Sequence, residues 1–367
     1  MKPGISPELD YIISACFSGQ TTEKSNQDLD SEEIARILVG NRILNYAFGR
    51  IKPDSLNDQV KEKLENMCRT NTFSTLLQAS ETLKIYRLAS DLGIPVHFYK
   101  GVAWSQWLFN DVNMRAPGDI DLFVAREHLI LLIEALKKNG YAIHPFHDTL
   151  LHASEPTSSD FLNSDYHIPL SGKDKSGFTN SVVELHWKIA YPRLCFDFGP
   201  ADFDKYGVQM EFLHHQIPVF STEYQFLMMI VNHGGKEDWN RLKYVIDLKA
   251  YMDRYGLHTD WALVDRIATA KGVKKLVVRG LGILQELGYE WKPEFPEASQ
   301  NVGIENLRNT WFRLQPLPGN TSWLYFKHSV TKRDASHRFK ILKAHLRFIS
   351  HFRLHSQKLK WYKEHAD

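Results

Sequence analysis

The segment Gly118-Asp119-Ile120-Asp121-Leu122-Phe123-Val124 constrains this chain more than any other. Aspartates alternate with apolar residues, and the run then becomes wholly apolar. Successive side chains of a strand point to opposite faces, so Asp119 and Asp121 share one face and Ile120 and Leu122 the other. The pattern predicts a buried strand with two carboxylates emerging side by side where its apolar run begins. Two carboxylates on a rigid strand suit a hard divalent cation such as Mg²⁺.

The flanking sequence predicts helices around a small β-rich centre. Residues 7–92 read as helical. Ser31-Glu32-Glu33 reads as an N-cap with acidic first-turn residues. A long helix is expected from Asn57 towards Leu88, ended by Gly93 and Pro95. Val96–Tyr99 is strand-like, and Val102–Phe109 and Arg126–Asn139 read as helices. Tyr141–His144, Tyr166–Leu170 and Ser181–Ile189 read as strands, the last two joined by a hairpin at Ser171–Gly177. Residues 147–164 are polar and read as a loop, and 192–220 as irregular. Ser221 caps a helix reaching His233, helical sequence continues to about Gly288, and a Pro-rich linker precedes more helix. The expected domains are a helical region over 1–93, a catalytic domain over 94–220, a helical region over 221–290, and a linker with a basic helical tail over 291–367.

Composition narrows the function classes. Hydrophobic residues make up 43% of the 367 and charged residues 24%, the balance of a globular protein. No apolar run approaches the roughly 20 residues that cross a bilayer, and the first residues lack a signal-peptide core. Cys16, Cys68 and Cys195 have no Cys-x-x-Cys spacing, which argues against a zinc ribbon or disulfide framework and suits the cytoplasm. The net charge of +2 hides a tail, residues 327–367, at +8 on a body near −6. Such a tail can meet an anionic partner or fold back on the body.

A third carboxylate stands in a similar setting. In Val182-Val183-Glu184-Leu185-His186-Trp187, Glu184 and His186 share one strand face. An acid on a buried strand is costly unless paired or metal-bound. Three carboxylates from two strands can hold two divalent ions roughly 3.5–4 Å apart, the spacing of two-metal phosphoryl-transfer sites. Upstream, Lys100-Gly101 precedes a helix. A Gly-containing strand-to-helix turn lets backbone N–H groups approach an anion, and Lys100 adds positive charge.

Lys100-Gly101, Arg115, Gly118-Asp119-Ile120-Asp121 and Glu184-Leu185-His186-Trp187 together resemble the uncharacterised nucleotidyltransferase family of the DNA polymerase β-like superfamily. The resemblance extends to His233-Gly234-Gly235-Lys236-Glu237-Asp238-Trp239-Asn240-Arg241-Leu242 and to Asp247-Leu248, covering roughly residues 30–255. It implies an α+β fold, with a small mixed-sheet nucleotidyltransferase domain flanked by helical N- and C-terminal regions. It also implies transfer of a nucleoside monophosphate from an NTP, ATP among them, to an acceptor hydroxyl with Mg²⁺ or Mn²⁺. By it, Asp119, Asp121 and Glu184 are the catalytic metal ligands, with Glu184 near the acceptor hydroxyl. Lys100, Gly101, Ser105, Arg115, Gly118, His186, His233, Lys236 and Arg241 are its nucleotide-binding positions. One departure stands out: superfamily turns usually read Gly-Ser or Gly-Gly, whereas Val102 follows Gly101, and Ser105 lies a turn further on.

Other readings compete. The departure after Gly101 would suit an inactive nucleotide-binding module. The tail, with Phe339, Leu342, Leu346, Ile349 and Phe352 as a helical stripe, reads first as a packed helix, and otherwise as a nucleic-acid or membrane-surface contact. Arg115 can pair with Asp111, His167 can face His186 across the hairpin, and His144, His147 and His152 lack the supporting spacing of a zinc site.

Overall fold

Strand alternation places a polar row and an apolar row on opposite faces of one sheet. The computed structural model describes residues 6–17, 29–173, 179–290, 302–314, 330, 333 and 335–364. Much of the expected Ser171–Gly177 hairpin turn and the Pro-rich linker lie outside these residues, as does part of the basic tail. The sheet comprises β1 (Val96–Tyr99), β2 (Ile120–Val124), β3 (Tyr141–Ile143), β4 (His167–Lys173) and β5 (Thr179–His186). Their order is β1-β2-β5-β4-β3. The pair β2–β5 is parallel and the others antiparallel, so the sheet is mixed. The fold is α+β.

Register decides which side chains meet. Tyr99, Asp121, Glu184 and Pro169 stand in one row across four strands. Phe98, Leu122, Leu185 and Ile168 form the next row and point to the other face, where all four are buried. Every residue of β2 is buried. The apolar row anchors the strands, and the polar row is thereby held on a rigid base.

The described residues fall into two compact units. One comprises the described residues within 1–80, 101–117 and 222–321, and the other those within 81–100, 118–221 and 322–367. The second unit holds the sheet, the helix Arg126–Lys138, and a hairpin of β6 (Gly207–Phe212) and β7 (His215–Phe220). In it, Phe203 and Phe220 pack against His97 of β1. The first unit is helical. Its buried Asn41 donates to the Trp311 carbonyl at 2.9 Å and accepts from the Leu242 amide at 2.9 Å, tying three helix ends together. No helix among the described residues is long and apolar enough to cross a membrane.

Three expectations need correction. The N-cap of helix Ser31–Gly40 is Asp30, whose carboxylate accepts from the Glu32 and Glu33 amides, so Ser31 is the first helical residue. Residues 147–164 are not one loop: all but the short link 152–154 belong to two helices, Pro145–Leu151 and Glu155–Ser164. Of their few apolar residues Leu150, Leu151 and Phe161 are buried, and Pro145 and Pro156 occupy first-turn positions where a missing N–H costs nothing. Residues 207–220 are a hairpin, not irregular. Its two-residue turn, Leu213-His214, has positive φ at both positions, a conformation whose usual marker is Asn-Gly.

Candidate functional site

The polar row and the strand end beside it build a cluster in the second unit. Asp121 and Glu184 are register partners on the parallel pair β2–β5. Two residues further along, His186 sits beneath them, fully buried. Its Nε2 lies 2.9 Å from Asp121 Oδ1 and 3.0 Å from Glu184 Oε2. Lys100 Nζ donates to Asp121 Oδ1 at 2.9 Å. His167 stacks on His186 with ring centroids 5.1 Å apart, and its Nε2 is 3.5 Å from Glu184 Oε1. Lys100 closes β1 with φ at +57°, in the left-handed region that ordinary residues rarely occupy. The strained turn redirects its side chain back over the sheet onto Asp121.

Burial and charge act against each other here. Burial by itself would raise the Glu184 carboxyl, but hydrogen bonds from His167 and His186 outweigh it and hold the group well below the usual carboxylate range. For His186, burial dominates over the two carboxylates, so its pKa falls and the imidazole is neutral. Burial would lower Lys100, yet Asp121 and Glu184 outweigh it and keep the ammonium charged. The cluster therefore contains an ionised Glu184, a neutral imidazole and a cation held against Asp121.

The donor chemistry fits a divalent cation. Asp121, Glu184 and His186 each offer a ligand atom, all within 4.8 Å of one another. Two carboxylates with an imidazole suit Mg²⁺ or Mn²⁺ more than a soft metal. His186 Nδ1 is buried with no hydrogen-bond partner, while Nε2 is shared between two carboxylates. Asp119 lies one residue ahead of β2 and is exposed, outside that triad. Gly118 precedes it in the same unit.

The other expected nucleotide-binding residues lie in the first unit. Ser105 is buried and spends its hydroxyl on the Asp111 carbonyl at 2.7 Å, while accepting from the Arg115 amide. Arg115 pairs not with Asp111 but with Asp247, at 3.2 Å, and donates to the Gly101 carbonyl at 3.0 Å. His233 is not a helix end left in solvent. It is buried in the π-helical segment Val231–Lys236, with Nε2 2.9 Å from Asp247 Oδ2. Lys236 closes that segment, and Arg241 caps the helix Leu242–Tyr255 while donating to the Gly40 carbonyl.

Sequence reasoning missed two features. His186 was expected among the nucleotide contacts, and it also offers a ring nitrogen within 4.8 Å of carboxylate oxygens of Asp121 and Glu184, so it could hold a metal ion with them. The signal was present, since Glu184 and His186 share a strand face. The second is a small cleft in the first unit lined by Arg42, Arg115 and Lys243 beside Asp247. Burial and the charges of Arg42 and Arg115 push the Lys243 ammonium down to about 7. These cations are 201 positions apart at their extremes, so no local pattern announces them.

Comparison with known proteins adds the family. The model of the uncharacterised nucleotidyltransferase family matches residues 27–288, most of the chain. The crystal structure of an antigenic nucleotidyltransferase-like protein from Paracoccidioides brasiliensis aligns at 14% identity over 49% of this chain and 75% of that chain, with a TM-score of 0.28. No curated protein matches the chain.

Proposed function

Because the chain belongs to the uncharacterised nucleotidyltransferase family, we propose that it moves a nucleoside monophosphate from an NTP to the hydroxyl of an acceptor. The observation that carries this reading is the convergence of Asp121, Glu184 and His186 beside Lys100. Asp121, Glu184 and His186 would hold a divalent cation, Mg²⁺ or Mn²⁺, with Asp119 as a further carboxylate if two ions bind. Such an ion would supply positive charge to the phosphates and lower the pKa of a bound hydroxyl.

The chain's own residues have distinct parts in this scheme. Glu184 enters as the ionised carboxylate and orients the acceptor hydroxyl, whose proton passes to solvent as its oxygen attacks. The hydroxyl oxygen bonds to the α-phosphorus, the bond to the β-phosphate oxygen breaks, and pyrophosphate leaves. Neutral His186 orients Asp121 and Glu184 from below. Lys100, whose ammonium stands against Asp121, would take a phosphate oxygen of the bound NTP as a further partner. Ser105 donates to the Asp111 carbonyl, which suits a scheme in which Lys100 rather than that hydroxyl meets a phosphate.

The test is metal-dependent NTP binding by calorimetry followed by release of pyrophosphate, comparing wild type with Asp121→Asn/Glu184→Gln. The double variant should lose metal-dependent binding and transfer by more than about 100-fold, with an unchanged circular dichroism spectrum. Full turnover by the folded double variant would overturn the assignment. Binding without pyrophosphate release, for every acceptor offered to wild type, would favour a nucleotide-binding module instead, which the commitment of Ser105 already suits.

A further inference from the structure

A second, larger cleft of about 620 Å³ lies in the second unit. Its walls carry Arg193, from the short turn Pro192–Leu194, and Lys340, Lys343, Arg347 and Phe348 from the helix Ala335–Ile349. Four cations thus line it against one acid, Asp160 of the helix Glu155–Ser164. His351 Nδ1 lies 3.7 Å from Asp160 Oδ1 and 2.9 Å from Ser164 Oγ, which sets an imidazole beside that acid. Lys340, Lys343 and Arg347 make no ion pair with any described residue.

This concentration of charge is not explained by folding. Residues three and four apart on a helix are neighbours, and like charges there oppose each other. Lys340, Lys343 and Arg347 hold that spacing and form a row about 10 Å long. Such a row exceeds the reach of one phosphate and suits several in sequence. The Arg193 guanidinium lies 4.1 Å from the Tyr191 ring and 4.5 Å from the Phe348 ring, so its planar fork is fixed between two aromatic faces. A fixed guanidinium beside flexible lysines is the chemistry of phosphate recognition.

The cleft is also joined to the catalytic cluster within the same unit. Tyr191 meets Tyr166 at 4.7 Å, Tyr166 meets His167 at 4.1 Å, and His167 stacks on His186. A continuous run of rings therefore leads from Arg193 to the metal-binding triad.

We propose that this cleft binds a chain of phosphate groups and is where a polyanionic acceptor docks. The second half rests on the transferase reading above; the first stands without it. A phosphodiester strand and a free oligophosphate share this chemistry.

The test uses the full chain and two probes, a fluorescein-labelled single-stranded U10 oligoribonucleotide followed by anisotropy, and inorganic tripolyphosphate followed by calorimetry. At least one should bind wild type. For U10 the logarithm of the binding constant should fall with the logarithm of salt concentration, with a slope of about −2 to −3 for three to four contacts. Lys343→Glu/Arg347→Glu changes exposed positions, and should weaken binding at least tenfold and flatten that slope. Asp121→Asn/Glu184→Gln should bind the probe like wild type, which separates the cleft from the fate of the transferase reading. Binding of U10 alone identifies a strand, and of tripolyphosphate alone a small phosphorylated acceptor; both support the proposal. Binding of neither, or binding indifferent to the charge reversal, overturns it. Binding instead to phosphatidylserine vesicles also overturns it, and would assign the helix to a lipid surface through its exposed Phe339, Leu346 and Ile349.

Discussion

His233 should make the stability of this protein sensitive to mild acid. Its imidazole is fully buried, 2.9 Å from Asp247, whose second oxygen is occupied by Arg115. Burial lowers its pKa to about 4, against the pull of Asp247, with Arg115 and Lys243 adding repulsion. Tyr244 covers one face of the ring at 4.5 Å and Trp104 meets it edge-on, so water does not reach it to stabilise a second charge. Between pH 7 and pH 5 the unfolded chain takes up a proton near the ordinary value of about 6.5, while the folded chain holds off until about 4. Stability therefore falls as pH drops through that window. For this one group the loss is about 2 kcal/mol between pH 7 and pH 5. Asp247 adds a parallel effect at lower pH. Burial would raise its carboxyl, but Arg115 and His233 outweigh that and hold it below its usual range. Its contribution is present above the ordinary carboxylate value and is lost only as pH falls towards its own depressed one. The assay is urea unfolding at pH 7 and pH 5 for wild type and His233→Gln, which keeps a hydrogen-bonding side chain that does not titrate. Wild type should lose about 2 kcal/mol more than the variant over this interval. Equal losses, within about 0.5 kcal/mol, would show that His233 carries its proton in the folded state as an ion pair with Asp247, and the burial argument would be wrong.

Gly234→Ala should destabilise the first unit by about 1–3 kcal/mol, because a Cβ there would lie 2.8 Å from Trp239 Nε1 in a fully buried ring; a thermal melt with unchanged stability would show that Trp239 can shift. Asp30→Ala should cost about 1 kcal/mol through loss of the N-cap on helix Ser31–Gly40, whereas Ser31→Ala should cost less at that cap, which a pair of denaturation curves decides. Cys16 is buried and its thiol is pushed up to about 12 by burial, so a thiol reagent should label Cys68 and Cys195 in the folded protein and reach Cys16 only on unfolding.

The sequence by itself determined the elements whose periodicity is strong. The strand Ile120–Val124 and the alternation through Glu184 and His186 were legible because a period of two assigns faces without knowledge of neighbours. The long helix Asp58–Asp91 and the left-handed Gly93 that follows it were legible for a similar local reason. Where apolar residues are sparse, as in Pro145–Leu151 and Glu155–Ser164, the helices are held by what they pack against, and local sequence underdetermines them. The Leu213-His214 turn carries no recognisable turn residue because the pairing of β6 with β7 imposes its backbone.

Only tertiary structure decided which carboxylates share a site. Side-chain alternation placed Asp119 beside Asp121 and Glu184 beside His186, but parallel pairing with one register brought Asp121 opposite Glu184 and left Asp119 exposed ahead of the strand. The same register put His167 against His186. Arg115 found Asp247 rather than the nearby Asp111, since a buried carboxylate already bonded to His233 needs a cation more than a half-exposed one does. Lys243 and Arg42 came together from distant segments. Local pattern fixes which face a side chain takes; which partner stands on that face depends on strand order, register and the packing of segments far apart in the chain.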